Sequence, residues 1–193
     1  MKFAHTAVAA ALGLAFCGAA FAQAGTVQRD VNQQQRIEQG LQSGQLNTRE
    51  AARLEREDAK VERDQARAMK DGKLTPAEKA RLAREQNKAS RDIYREKHDA
   101  QTGNPNSASS QRMQDDVQRN INQQQRIEQG VQSGSLTTRE AGKLERGQAR
   151  DSKLEARAGA DGHVGAKEQG RVQKAENRQS RRIHREKHDD QKQ

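Results

Sequence analysis

Apolar side chains are sparse along this 193-residue chain, but they recur at helical spacing. Val27, Val31, Ile37 and Leu41 fall on one face at 3.6 residues per turn, with Gln34 filling the gap, which predicts a helix over about 26–42. Ser43-Gly44 ends it, glycine being the usual residue at a left-handed cap. A second helix opens at Asn47 or Thr48, with Glu50 placed to close a capping box, and carries Leu54, Val61 and Ala68 at heptad spacing. After the stop at Asp71-Gly72, Thr75-Pro76-Ala77-Glu78 combines an N-cap, a proline at the first helical position and the box-closing Glu. The third helix packs by Leu82, Gln86, Ala89 and Ile93. With good helix formers throughout and no β-branched runs, the chain reads as all-α with no β-sheet.

The plan then repeats. VNQQQRIEQGLQSGQLNTREA (Val31 to Ala51) returns as INQQQRIEQGVQSGSLTTREA (Ile121 to Ala141), and the ungapped match runs to Gln101 and Gln191, so paired positions differ by 90. Both copies close on REKHD, and the second predicts helices over about 114–132, 138–158 and 166–189. The expected architecture is two tandem copies of an antiparallel three-helix unit with thin, coiled-coil-like Ala/Leu/Val seams. Its boundaries are residues 1–22 for a leader, 23–100 for the first repeat, 101–113 for a flexible linker (QTGNPNSASS and its flank) and 114–193 for the second repeat. Gly142, Gly147, Gly159, Gly165 and Gly170 replace Ala52, Glu57, Met69, Thr75 and Ala80, so the second repeat is expected to have shorter helices, broken near Gly147 and between Gly159 and Gly165.

The first residues carry one early cation, Lys2, then an apolar run from Ala7 to Ala20 and Ala20-Phe21-Ala22, the pattern of a secretory signal peptide cleaved after Ala22. A lipoprotein signal at Cys17 fits less well, because Phe16 stands where a small residue is expected. Loss of the leader removes all three phenylalanines and the only cysteine, which excludes disulfides and thiolate chemistry from the mature chain. It also removes Lys2, so the formal net charge falls from +9 to +8. A periplasmic or secreted protein follows, with no transmembrane segment in the mature form. Leu, Ile, Val and Phe make up only about an eighth of what remains. Such a chain has little apolar surface to set against conformational entropy. Pairs such as Glu50 to Arg53, Glu57 to Lys60, Glu78 to Arg81 and Glu85 to Lys88 are spaced to support helices as i,i+3 ion pairs.

The chemistry legible in the sequence is mainly charge. No carboxylate stands in an apolar run that would perturb its pKa, so no acid–base centre, catalytic residue or cofactor is expected. The four corners resemble the end of an EF-hand loop: Gly44, Leu46 and Glu50; Gly72, Leu74 and Glu78; Gly134, Leu136 and Glu140; Gly162, Val164 and Glu168. The acidic front half of that loop is missing, and a glycine stop followed by a capping box accounts for the same residues. Asp71 with Glu78 and Asp161 with Glu168 are the candidate metal ligands the corners offer, and His184 with His188, four apart on one helix face, is another. LNTRE, LTPAE and LTTRE also resemble the LTxxQ motif of Spy/CpxP-type periplasmic stress chaperones, with Glu for Gln, a resemblance that implies a helical cradle for unfolded clients. The wider QQQRIEQG, SGxLTxxE and RxIYREKHD pattern is similar to signal-peptide-bearing periplasmic proteins of proteobacteria, which implies a periplasmic location and brings no activity with it.

Basic excess without stacking aromatics, in an exported chain, argues against nucleic acid. The leading expectation is a non-enzymatic helical protein that associates through dispersed Lys and Arg with anionic envelope surfaces or polymers. The alternatives are a stress chaperone holding protein clients and a divalent-cation binder, and the thin seams leave room for self-association into a homo-oligomer.

Overall fold

In the computed structural model, residues 17–190 are described; the expected leader lies mostly outside them. Those residues form six helices and no strand: α1 (Cys17–Ser43), α2 (Thr48–Ala68), α3 (Pro76–Lys97), α4 (Ala108–Gln132), α5 (Thr138–Ala158) and α6 (Ala166–Lys187). The all-α expectation holds. None of these helices is long and apolar enough to cross a membrane.

Local chemistry sets the helix ends. Asn47, Thr75 and Thr137 each accept the N3 amide of their helix while Glu50, Glu78 and Glu140 reach back to the cap amide, closing three reciprocal boxes. Before each of the first boxes in a repeat, Gly44 and Gly134 take φ of 74° and 72°, a turn that side-chain-bearing residues disfavour.

The two repeats pack into one another. α1 lies along α4 and α2 along α5, while α3 covers α1 and α2, and α6 covers α4 and α5. Both central pairs are antiparallel; in the first, Gln28 faces Glu128 and Gln118 faces Glu38. A Cβ on Gly142, near the start of α5, would meet Met69 after the end of α2, and one on Gly159 would meet Ala52 near the start of α2. Because these contacts exchange residues 90 apart, the repeats are related by an internal pseudo-two-fold axis.

Neither apolar core cluster belongs to a single repeat. One joins Ile37, Leu41, Leu54 and Ile93 to Met113, Val117, Ile121 and Val172; the other joins Val27 and Met69 to Ile127, Val131, Leu144 and Ile183. The expectation of a separate seam for each three-helix unit is therefore corrected. A thin stripe on either copy finds its partner on the other, so that the few aliphatic residues bury their apolar area together.

Two further expectations are overturned. The linker over 101–113 is packed: the Gly103 amide donates to the Gly44 carbonyl at 2.8 Å, and α4 begins at Ala108, capped by Ser107. Ser109 Oγ then accepts the Val164 amide at 3.0 Å, and Arg112 donates to the Val164 carbonyl at 2.8 Å. Nor do glycines break the second repeat, since α5 has the same 21 residues as α2. Glycine there makes room for neighbours. A Cβ on Gly147 would stand 2.0 Å from Gln179 Oε1, whose amide donates to the Leu144 carbonyl at 2.8 Å.

Candidate functional site

The repeated QQQRIEQG motif is used for building. Gln33 and Gln123 donate to the carbonyls of Gln86 and Glu176 at 2.7 and 3.2 Å. Arg36 and Arg126 grip Ser90 and Ser180, at 2.6 and 2.7 Å to the hydroxyls. Gly40 and Gly130 admit the side chains of Leu46 and Leu136, which a Cβ would meet at 2.5 Å.

Gln34 and Gln124 point to what the sequence hid. Along the bundle axis run buried carboxylates: Asp30, Glu55, Asp58 and Glu62 from the first repeat and Asp116, Glu145, Asp151, Glu155 and Glu176 from the second. Most face neutral donors. Gln34 donates to Glu55 and Asp58 at 3.1 and 3.0 Å, Gln65 and Gln86 to Asp30 at 2.6 and 2.8 Å, and Asn120 to Glu155 at 2.9 Å. Desolvation pushes Asp30, Glu55, Asp116 and Asp151 up to about 7 and Glu176 to about 9. Burial, reinforced by neighbouring carboxylates, holds Asp58, Glu62, Glu145 and Glu155 well above the ordinary range. The expectation that no carboxylate is perturbed is thus corrected. Of these carboxylates Asp151 also borders a cavity between α5 and α6, and the seam as a whole is a desolvated core in which burial favours the protonated acid.

The candidate metal ligands from the sequence sit apart from one another in role. Glu78 and Glu168 close helix starts by accepting the amides of Thr75 and Gly165 at 2.9 and 2.8 Å. Asp71 and Asp161 accept the amides of Lys73 and His163, both at 2.9 Å, within their own turns. The rings of His184 and His188 are tilted at 37° to each other, centroids 4.2 Å apart, with His188 Nδ1 2.6 Å from the His184 carbonyl oxygen. The structure instead gathers two other carboxylate trios within 4.8 Å, Glu50 with Glu96 and Asp99, and Glu140 with Glu186 and Asp189. Each joins a capping-box Glu to the REKHD that ends the repeat, beside Arg53 or Lys143. Among the described residues, these are the carboxylate trios close enough together to share one divalent ion.

The cations have a clearer organisation. On the outer face of the α2/α5 pair a groove of about 610 Å³ runs across the pseudo-two-fold axis. Its walls are four symmetry-related pairs: Arg56 and Arg146, Lys60 and Arg150, Arg63 and Lys153, Arg67 and Arg157. All eight are exposed, while the floor is the small buried side chains of Ala59, Ala149 and Ala156, which let the helices approach and the long cations stand on either side. Among the described residues, no acidic side chain lines it.

The two walls differ. Asp64 accepts from Arg67 at 3.2 Å and lies within 3.6 to 3.8 Å of Lys60 and Arg63. Leu154 occupies the matching place in the second repeat, where the ion pairs among the described residues are Arg119 with Glu176 and Lys143 with Glu186, neither of which engages Arg146, Arg150, Lys153 or Arg157. The expected i,i+3 pairs do not form in the first repeat either: Arg53 pairs with Glu96, Lys60 with Asp64 and Glu85, and Lys88 with Glu57 and Asp92. Carboxylates one full turn along the same helix, or across the α2/α3 contact, take the place of the i,i+3 partners. The signal for the groove was in the sequence as cations at 56, 60, 63 and 67 and again 90 later.

No family model matches this chain. No curated protein and no solved structure matches it either.

Proposed function

We propose that the protein is a non-enzymatic binding protein of the cell envelope, held to anionic surfaces or polymers by the groove between α2 and α5. The observation that carries this reading is the concentration of eight exposed cations on one face around a floor of alanine, with no acidic side chain among the described residues of the lining. Side chains of this kind gain most from an extended ligand with many negative groups, because each exposed pair contributes little and the sum grows with their number. The chaperone reading has less support, as Tyr94 is the one large apolar side chain exposed among the described residues.

Co-sedimentation with vesicles of phosphatidylglycerol in phosphatidylcholine tests the reading. Binding should fall between roughly 50 and 300 mM salt as the Debye length shortens. Arg63→Glu with Arg157→Glu should abolish it at low salt. Binding that persists in salt and survives both reversals would place the contact elsewhere and favour apolar client holding.

A further inference from the structure

The two repeats differ most in charge along the seam between their second and third helices. In the first repeat, Glu57 and Asp64 on α2 and Glu85 and Asp92 on α3 meet the cations beside them: Lys88 lies 3.2 Å from Glu57, Lys60 lies 3.6 Å from Glu85, and Arg95 pairs with Asp92. Adding 90 to those four acidic positions gives Gly147, Leu154, Ala175 and Arg182. Every one of the carboxylates is gone, while the cations at the matching positions are kept as Arg150, Arg178, Arg181 and Arg185.

The outcome is a pocket of about 530 Å³ between α5 and α6, lined by five arginines. Gly147, Ala175 and the inward-packed Gln179 form its floor, and Leu154 is half-buried beside it. Asp151 is the one carboxylate among the described residues of the lining, and burial pushes it up to about 7, with Arg178 and Arg150 drawing it back. Neither ion pair of the second repeat among the described residues involves any of the five arginines. Guanidinium groups are weakly hydrated planar forks that match phosphoryl oxygens two at a time, so five around one concavity suit a compact ligand with several such oxygens.

We infer that this pocket binds a compact anion carrying more than one phosphoryl group, either a soluble condensed phosphate or clustered lipid phosphomonoesters, and that the matching seam of the first repeat does not. The inference is independent of the α2/α5 groove, with which the pocket shares only Arg150.

Calorimetric titration of the full chain with inorganic tripolyphosphate tests it, with sulfate as the control for bare charge. One site per chain is expected, with sulfate far weaker. The discriminating variant returns the first repeat's residues, Leu154→Asp with Ala175→Glu and Arg182→Asp, side chains that the equivalent seam accommodates. Affinity should drop on the order of 10- to 100-fold for each charge-assisted hydrogen bond removed, with helicity by circular dichroism unchanged. If the triple variant loses helicity, Arg182→Asp alone provides the measurement. Arg63→Glu with Arg157→Glu, in the groove, should leave tripolyphosphate binding intact. Vesicles containing phosphatidic acid, offered to chains that also carry Arg63→Glu and Arg157→Glu so that the groove is silent, separate the two sources: capture abolished by adding the triple substitution assigns lipid phosphomonoesters, and capture unchanged by it assigns a soluble phosphate. Undiminished tripolyphosphate affinity in a folded triple variant would falsify the inference, and so would a loss of affinity caused by the groove reversals alone.

Discussion

The Gln124 amide on α4 donates to the Glu62 carboxylate on α2 at 3.0 Å, across the pseudo-two-fold axis. A buried carboxylate would ordinarily be met by Arg or Lys, yet this chain, rich in both, sends an amide. Ser152 adds a hydroxyl to the same group at 3.0 Å, and Glu145, Asp58 and Asp30 surround it with like charge. Neutral donors suit a carboxylic acid better than an ion. Glu55 lies close enough to Glu155 for its charge to raise that residue's pKa further, on top of burial.

Stability should therefore fall as pH rises. The seam carboxyls have folded-state pKa values above their unfolded values of 3.8 to 4.5, so the native chain binds more protons. Their contribution is fully present below about pH 4 and is lost as pH climbs through about 7. The pair of Lys88 with Asp92, whose carboxylate is held below its ordinary range, works in the opposite sense, but its exposed lysine keeps the contribution small. Thermal unfolding at pH 5 and pH 8.5 in matched salt is the measurement. A loss of about 2 kcal/mol would lower Tm by roughly 4 to 8 °C. A Tm that rises over the same interval would contradict the assignment of a protonated seam.

Glu62→Gln should stabilise the protein at pH 8.5 and do little at pH 5. The amide copies the shape and hydrogen-bonding capacity of the protonated acid and removes the ionised form that burial penalises. Denaturant midpoints at the two pH values would show it, and equal effects at both would indicate that Glu62 is ionised throughout.

Glycine substitutions should split in sign. Gly40→Ala drives a methyl to 2.5 Å from Leu46 Cδ1 and should destabilise by about 1 to 3 kcal/mol. Gly170→Ala, within α6 and open to space, should stabilise by about 0.5 to 1 kcal/mol through reduced chain entropy in the unfolded state. Urea unfolding of the two variants measures both.

Asp64→Leu, which copies the second repeat, should strengthen vesicle binding at low salt by releasing Lys60, Arg63 and Arg67 from a shared carboxylate. A few-fold gain with a steeper salt dependence is expected, since more cations become available to the ligand. Reduced binding would mean that Asp64 positions those cations and does not compete for them.

Much of the fold is legible in the sequence because aliphatic periodicity and capping chemistry act locally. Val27, Val31, Ile37 and Leu41 are buried as their spacing implies, as are Leu54, Val61, Leu82 and Ile93. The partner of each stripe was not legible. Two near-identical repeats offer each stripe two equivalent partners, and local periodicity cannot choose between a helix of the same copy and its twin in the other. The acidic seam escaped for a different reason. Glu and Asp at helical spacing read as a solvated face, although Glu55, Asp58, Glu62 and Gln65 follow the same rhythm one residue behind Leu54 and Val61. Glycine misled because its cost in an isolated helix is visible from sequence and the neighbour that uses the space is not. The arginine pocket was written in the differences between the copies, at 147, 154, 175 and 182, and attention to what the repeats share passes over it.

The pseudo-two-fold relation has a consequence for descent. The molecule has the form of a homodimer carried on one polypeptide, and in a true homodimer every substitution is made twice. A dimer that deleted four carboxylates from one flank would delete eight, leaving both flanks bristling with unopposed arginine. Joining the halves end to end lifts that constraint: one half can keep its internally neutralised seam as ballast for the fold while its twin sheds acids and takes up a new occupation.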